Sequence, residues 1–111
     1  MNNQSLNWSD DIKYLSSNAV KIPESGGLYK VLRNDGENGK LTRVYLGKAE
    51  NLRSQFNYHL SDSEENECLK RNVHNKECYF KYALLSGEDN RQNAESNLLS
   101  EGKYECNIQN Q

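Results

Sequence analysis

Two short tripeptides constrain the fold of this chain more than any other feature: Gly27-Leu28-Tyr29 and Tyr45-Leu46-Gly47. Each lies in a run whose residues alternate as they do in a β-strand. Between them, residues 34–39 are rich in Asn, Asp and Gly, which favour turns. The pattern predicts a β-hairpin. Such a hairpin would bring Tyr29 and Tyr45 close in space, with both phenol groups available to one site.

The rest of the chain supplies one more strand and three helices. Strands are predicted over 27–33, 41–47 and 77–85, and an amphipathic helix over 51–60. A short helix beginning near Ser63 would carry Leu69 and Val73, and a third helix covers 91–100. The predicted order is therefore β-β-α-α-β-α. This order indicates an α+β fold, with a small three-stranded antiparallel sheet flanked by helices.

A chain of 111 residues is expected to form one domain. Residues 1–22 are polar and show no clear period, so they are predicted to form an N-terminal arm or a short helix. Residues 23–111 are then the folded domain. Within the arm, Ser9 before two aspartates has the pattern of a helix N-cap.

No apolar run approaches the ~20 residues that span a membrane. The first residues lack the basic region and apolar stretch of a signal peptide, so a cytoplasmic location is expected. The three cysteines are an odd number without a C-x-x-C motif, which favours neither a disulfide framework nor a zinc site. Reduced and mostly buried thiols are therefore expected.

The net charge of −2 is unusual for a protein that binds nucleic acid, because such binding depends on neutralising phosphates. The charge is unevenly distributed, however. Residues 30–53, which include the predicted hairpin, carry six cations and three anions. Ordinary solvation of the surface is the alternative explanation for this difference.

Directly after the second tripeptide comes Lys48-Ala49-Glu50-Asn51-Leu52-Arg53, which has the pattern of a helix start. The two tripeptides in this order, followed by this segment, resemble the GIY-YIG nuclease superfamily, with Leu in place of Ile in both signatures. The resemblance runs from about Pro23 to Asn107, so 23–111 is expected to be a GIY-YIG-like domain. It implies hydrolysis of phosphodiester bonds in nucleic acid, most often DNA, with a single divalent ion, Mg²⁺ or Mn²⁺.

The resemblance also implies roles for particular residues. Glu95 matches the metal ligand of the late helix, and one carboxylate suits Mg²⁺, which keeps most of its shell as water and phosphate oxygens. Tyr29 and Tyr45 match the signature tyrosines, which act in proton transfer. The structural alternatives are a solvated helix glutamate and tyrosines on an amphipathic strand. A free phenol has a pKa near ~10, so either tyrosine needs a nearby cation to act as a base.

Three other positions, Lys48, His59 and Asn107, match the family pattern around the phosphate, and Lys48 and Asn107 are expected to be phosphate-binding residues. Lys48 follows the second signature and would supply positive charge or contact phosphate, while His59 would bind phosphate or assist proton transfer. A surface lysine and a structural histidine are the alternatives. Asn107 matches the late asparagine that shapes the site. Arg91, four residues before Glu95, is expected to be its ion-pair partner on the helix.

The main departure from the family lies ten residues beyond Tyr45, where the catalytic Arg is replaced by Gln55. Glutamine donates hydrogen bonds but brings no charge and no bidentate fork. Arg53 is close in sequence and is the candidate phosphate-binding replacement, although two residues along a helix turn it about 200° away. The leading hypothesis is an impaired or altered endonuclease. The alternatives are a non-catalytic module that binds nucleic acid or protein, and a subunit, for example of a homodimer, whose partner supplies the missing Arg.

Overall fold

A four-stranded antiparallel sheet forms the centre of the molecule. The structure is a computed structural model that describes residues 6–36 and 39–107. The strands are β1 (Ile12–Lys13), β2 (Gly27–Asn34), β3 (Leu41–Ala49) and β4 (Cys78–Leu84). They lie in the order β1-β4-β2-β3, so β3 is an edge strand. The α+β fold with a small antiparallel sheet is confirmed.

The number of strands differs from the prediction, which was three. The additional strand β1 pairs with β4 through Ile12 opposite Phe80 and Lys13 opposite Tyr79. Two residues are too few to show an alternating pattern, so this strand depends on its partner rather than on a local signal.

Strands β2 and β3 form the predicted hairpin. Tyr29 pairs with Gly47 and Val31 pairs with Tyr45, and the register shifts at a bulge between Val31 and Leu32. Because Tyr29 and Val31 are two residues apart, Tyr29 and Tyr45 lie on the same face of the sheet. Two residues of the turn predicted over 34–39, residues 37 and 38, lie outside the described residues.

Three helices complete the fold: α1 (Leu52–Leu60), α2 (Glu67–Asn75) and α3 (Glu88–Glu101). The side chain of Asn51 caps α1 by accepting a hydrogen bond from the Ser54 N–H at 3.0 Å. Asn66 caps α2 in the same way, so that helix begins after Asn66 and not near Ser63. Gly87 precedes α3 with a φ of +91°, a conformation that favours glycine.

The main core lies between the sheet and α1. Its central rings are those of Tyr14, Phe56 and Phe80, with Tyr14 stacked on Phe56 at 4.3 Å between ring centroids. The Tyr14 hydroxyl donates to the Phe56 carbonyl at 3.0 Å, so the buried phenol keeps a partner. Leu28 and Leu46 are also fully buried, but strand alternation directs them to the opposite face. Helix α3 packs against β2 and β3 on that face.

The segment before β2 is built into the domain. Residues Ser16–Lys21 form a 3₁₀ helix, and Ile22 after it is fully buried. Ser9 is not a helix cap: its N–H donates to the Tyr82 carbonyl and its Oγ accepts from the Tyr82 N–H. The division of the chain at residue 22 stays a prediction.

Two of the three cysteines form a disulfide, so the expectation of reduced thiols is wrong. Cys68 in α2 is bonded to Cys106 in a second 3₁₀ helix, Glu105–Asn107. Cys78 is the remaining thiol, and burial raises its pKa to about 11. An odd number of cysteines excludes the pairing of all three but allows one disulfide. The two bonded cysteines are 38 residues apart in sequence, so no local pattern indicates that they meet.

Among the residues that the structure describes, no helix has both the length and the apolar character needed to cross a membrane.

Candidate active site

The two signature tripeptides meet where the Tyr29 ring lies over Gly47. A Cβ atom at Gly47 would be 2.5 Å from both Cζ and Oη of Tyr29, so only glycine leaves room for the ring. The Tyr29 side chain is almost completely buried, with 2% of the residue exposed. The spacing of the tripeptides along the hairpin therefore determines where the Tyr29 hydroxyl points.

That hydroxyl begins a chain of three buried polar side chains. Tyr29 Oη lies 2.7 Å from His59 Nε2, and His59 Nδ1 is hydrogen-bonded to Glu64 Oε1. The second carboxylate oxygen of Glu64 accepts from the Asn66 N–H at 2.8 Å. Helix α1 delivers His59, and the loop before α2 delivers Glu64. Both ring nitrogens of His59 and both carboxylate oxygens of Glu64 therefore have a hydrogen-bond partner, and the Tyr29 hydroxyl ends the chain.

The partners of His59 determine its tautomer. A carboxylate only accepts hydrogen bonds, so Nδ1 carries the proton that it donates to Glu64. Nε2 is then free of a proton and accepts from the Tyr29 hydroxyl. Burial lowers the pKa of His59, although the Glu64 carboxylate acts in the opposite direction. A neutral His59 at physiological pH is therefore a proton acceptor directed at Tyr29.

Tyr45 lies beside this chain. Its ring centroid is 6.0 Å from that of Tyr29 and 5.8 Å from that of His59. Burial raises the pKa of Tyr45, and the charges of Glu95 and Glu64 raise it further, whereas a hydrogen bond with Tyr29 lowers it. Both phenols therefore share one site, as the hairpin argument predicted.

Glu95 lies in α3, which packs against β3 and β2. Its negative charge raises the pKa of both tyrosine hydroxyls, although burial is the larger cause for each. Burial raises the pKa of Glu95 itself, and the nearby charge of Lys48 lowers it. Within residues 6–36 and 39–107, no ion pair shorter than 4.0 Å involves Glu95.

A half-buried carboxylate without an ion-pair partner fits a divalent cation, because the cation would offset the cost of desolvation. One carboxylate together with water and phosphate oxygens is a donor set that Mg²⁺ accepts. Another cluster of metal-ligating types among the described residues is Cys68, Glu105 and Cys106, but its sulfurs form the disulfide. Glu95 is therefore the better candidate for a metal ligand.

Lys48 and Gln55 line a pocket of about 350 Å³ at the end of β3. Strand alternation places Lys48 on the face opposite Gly47, toward α3, and Gln55 enters the pocket from α1. Six other residues line it: Ala49, Glu50, Asn51, Ser54, Glu88 and Arg91.

The structure does not bring Arg53 to this pocket. Its Nε donates to the Ile22 carbonyl at 2.8 Å, Nη2 to the Val20 carbonyl at 3.4 Å, and Nη1 lies 3.8 Å from Glu24. The guanidinium thus fastens the N-terminal segment to α1. As the geometry of the helix indicated, Arg53 points away from Gln55.

Asn107 lies against β3 and holds its main chain. Its Nδ2 donates to the Leu46 carbonyl at 2.9 Å, and its Oδ1 accepts from the Leu46 N–H at 2.8 Å. We call these two Asn107–Leu46 hydrogen bonds the clamp. Leu46 lies between Tyr45 and Gly47, so the clamp supports both signature residues. This geometry favours a role in shaping the site over direct contact with phosphate.

Sequence reasoning missed two residues at the site. Glu64 is one of them, and nothing in the sequence indicates that it pairs with His59. Arg91 was expected to pair with Glu95, which is wrong: its Nη1 donates to the Leu85 carbonyl at 3.1 Å, and Lys48 is the cation that acts on Glu95. The pocket-facing position of Arg91 depends on how α3 packs.

Comparisons with known proteins support the fold. No family model matches the chain, and no curated protein matches it in sequence. Solved structures of the GIY-YIG N-terminal endonuclease domain of UvrC from Thermotoga maritima do match. A tyrosine-to-phenylalanine mutant with its catalytic divalent cation has a TM-score of 0.64 and 20% identity, and the match covers 84% of this chain and 93% of that chain.

The magnesium-bound form of the same domain has a TM-score of 0.63 and 21% identity, covering 83% of this chain and 93% of the other. An asparagine-to-alanine mutant has a TM-score of 0.60. The chain has the fold of a GIY-YIG endonuclease domain. The resemblance that the two tripeptides predict is confirmed at the level of the fold.

Proposed function

We propose that this protein is a metal-dependent endonuclease that hydrolyses phosphodiester bonds in nucleic acid, with DNA as the substrate. The observation that carries the proposal is the buried hydrogen-bonded chain of Tyr29, His59 and Glu64, with the Tyr45 ring 6.0 Å from that of Tyr29. Glu95 on α3 is the potential metal ligand, and its charge raises the pKa of both phenols. The GIY-YIG fold supports this assignment.

The proton path runs through the buried chain. Tyr29 donates to His59 Nε2, and Glu64 holds the imidazole in the tautomer that leaves Nε2 able to accept. Burial and the surrounding negative charges raise the pKa of Tyr29, so it is a poor base by itself. Movement of its proton toward His59 makes the phenol oxygen able to accept a proton from an attacking water. His59 is thus a general base acting through Tyr29, and Glu64 is a positioning residue.

Glu95 would hold a single Mg²⁺ or Mn²⁺. When bound, the ion supplies positive charge that stabilises the phosphate in the transition state. Lys48, which lines the pocket on the face opposite the tyrosines, would contact a phosphate oxygen. The proposed binding partner is nucleic acid. The alternative partner is another protein or a second copy of this chain. The cytoplasmic location stays a prediction.

The test is nicking of a supercoiled plasmid in Mg²⁺ or Mn²⁺ by wild type and by Glu95→Gln. The variant keeps the shape of the side chain but cannot supply a carboxylate, so metal-dependent cleavage should be lost. Glu101→Gln is the matched control, because Glu101 is an exposed carboxylate on the same helix. It should cleave as wild type does.

Two outcomes would overturn the proposal. A folded wild type that binds DNA but never cleaves it in either metal would favour the non-catalytic module. Cleavage that is unchanged in Glu95→Gln would remove Glu95 from the metal site.

A further inference from the structure

The site as described has no cation on α1 to stabilise the phosphate. Gln55 stands at the sequence position where the resemblance implies an Arg, and it lines the pocket, whereas Arg53 is engaged with main-chain carbonyls. Phosphodiester hydrolysis builds negative charge that a preorganised cation normally stabilises. A second cation beside Lys48 would therefore complete the site.

Arg91 enters this pocket from α3. It lines the cavity together with Gln55 and Lys48, although it belongs to a different helix from Gln55. It precedes Glu95 by four residues, which places both on the same face of α3. A guanidinium at this position lies one helical turn from the proposed metal ligand.

The guanidinium is held in place by two contacts. Its Nη1 donates to the Leu85 carbonyl at 3.1 Å. Gly26 lies against the same nitrogen, and a Cβ there would be 2.5 Å from it. The glycine before the first signature thus makes room for Arg91.

Its remaining donors are not neutralised by an ion pair. Among the described residues, no carboxylate lies within 4.0 Å of the Arg91 guanidinium, Glu95 included. Glu50 and Glu88 line the same pocket, but both are exposed, so solvent and salt screen their charges. Arg91 is half-buried and keeps most of its five N–H donors available.

We propose that Arg91 binds the substrate phosphate and supplies, from α3, the positive charge that Gln55 lacks on α1. The inference rests on the proposed nuclease function. The planar guanidinium of Arg91 is suited to bidentate contact with phosphate, which Gln55 and Lys48 cannot provide. The substrate class is a nucleic-acid phosphodiester, with Arg91 and Lys48 approaching it from the α3 side.

The experiment measures plasmid nicking by Arg91→Ala, Arg91→Lys and the double variant Gln55→Arg/Arg91→Ala. Arg91→Ala should lose about 10²–10³ in rate, the usual effect of removing one transition-state donor. Arg91→Lys should keep part of the activity, and Gln55→Arg should restore much of it in the double variant. Arg71→Ala, an exposed arginine on α2, is the control and should cleave as wild type does. If wild type cleaves, an equal rate in Arg91→Ala would overturn the inference.

A binding measurement separates this inference from the proposed function. Affinity for a labelled double-stranded oligonucleotide is measured without metal over a range of salt concentrations. Loss of one phosphate contact in Arg91→Ala should reduce the slope of log affinity against log salt by about 0.9, while Arg71→Ala leaves it unchanged. If wild type does not cleave but the slope falls, the nuclease proposal fails and the phosphate site stands. An unchanged slope and affinity in Arg91→Ala refutes the phosphate site.

Discussion

The ring of Tyr29 occupies the volume that any side chain at Gly47 would need. The contact joins the last residue of one signature to the last residue of the other across the hairpin, because Tyr29 and Gly47 are paired in the β2–β3 ladder. It also directs the Tyr29 hydroxyl toward His59. Packing and proton transfer are thus linked through one glycine.

Gly47→Ala should displace Tyr29 and weaken both the fold and the proposed activity. The new Cβ would lie 2.5 Å from the Tyr29 hydroxyl and Cζ, and overpacking of this kind costs about 1–3 kcal/mol. The free energy of unfolding is measured in urea. Tyr29→Phe removes one of the three atoms that would lie within 3.0 Å of the new Cβ, so Gly47→Ala should cost less in that background. A Gly47→Ala protein as stable and active as wild type would contradict the contact.

The sequence was sufficient for the hairpin and the helices because both are local. Alternation and turn residues define β2 and β3, and helical spacing of Leu52, Phe56 and His59 defines α1. Spacing also placed Tyr29 and Tyr45 on one face. A bulge could have reversed that arrangement, but it lies between Val31 and Leu32, beyond the Val31–Tyr45 pair and therefore outside the part of the ladder that contains both signatures.

What the sequence could not show depends on long-range contacts. Glu64 pairs with His59 through the path of a loop, and Arg91 enters the pocket because of how α3 packs. The disulfide joins Cys68 to Cys106 across 38 residues. Each of these contacts depends on tertiary packing, which a local sequence pattern does not predict.

The stability of the protein should depend on pH through His59. Burial lowers its pKa, so below about 6.5 the unfolded chain binds a proton at His59 that the folded protein resists. The free energy of unfolding should therefore fall as the pH drops from 7.5 to 5.5, by at most ~1.4 kcal/mol per pH unit for one proton. Urea denaturation at each pH measures the free energy of unfolding.

His59→Gln should flatten this dependence, and His74→Gln should not, because His74 is exposed on α2. The raised pKa of Glu95 has the opposite effect on stability, because the folded protein binds a proton there more readily than the unfolded chain does. Wild type and both variants carry Glu95, so its effect cancels in the comparison. An equal slope in wild type and His59→Gln would show that His59 does not resist protonation in the folded protein.

Asn107→Ala should destabilise β3 next to the site. The substitution removes two hydrogen bonds and leaves the buried N–H and carbonyl of Leu46 without those partners, which costs about 1–3 kcal/mol. Amide hydrogen exchange at Leu46 should become faster in the variant. Asn97→Ala, at an exposed position on α3, is the control. Unchanged exchange at Leu46 would mean that the clamp does not protect the strand.

The disulfide should stabilise the protein and hold this clamp in place. Cys106 is adjacent to Asn107, and Cys68 lies in α2, so the bond joins the clamp to a helix. Breaking a native disulfide typically costs about 2–4 kcal/mol, largely by releasing the unfolded chain. Cys106→Ser, or wild type in a reductant, should therefore melt at a lower temperature than oxidised wild type. The reductant should leave the melting temperature of Cys106→Ser unchanged, because Cys78 has no disulfide to lose.

Alkylation after denaturation should modify one cysteine in oxidised wild type and three after reduction. Three modified cysteines without reduction would show that the bond does not form.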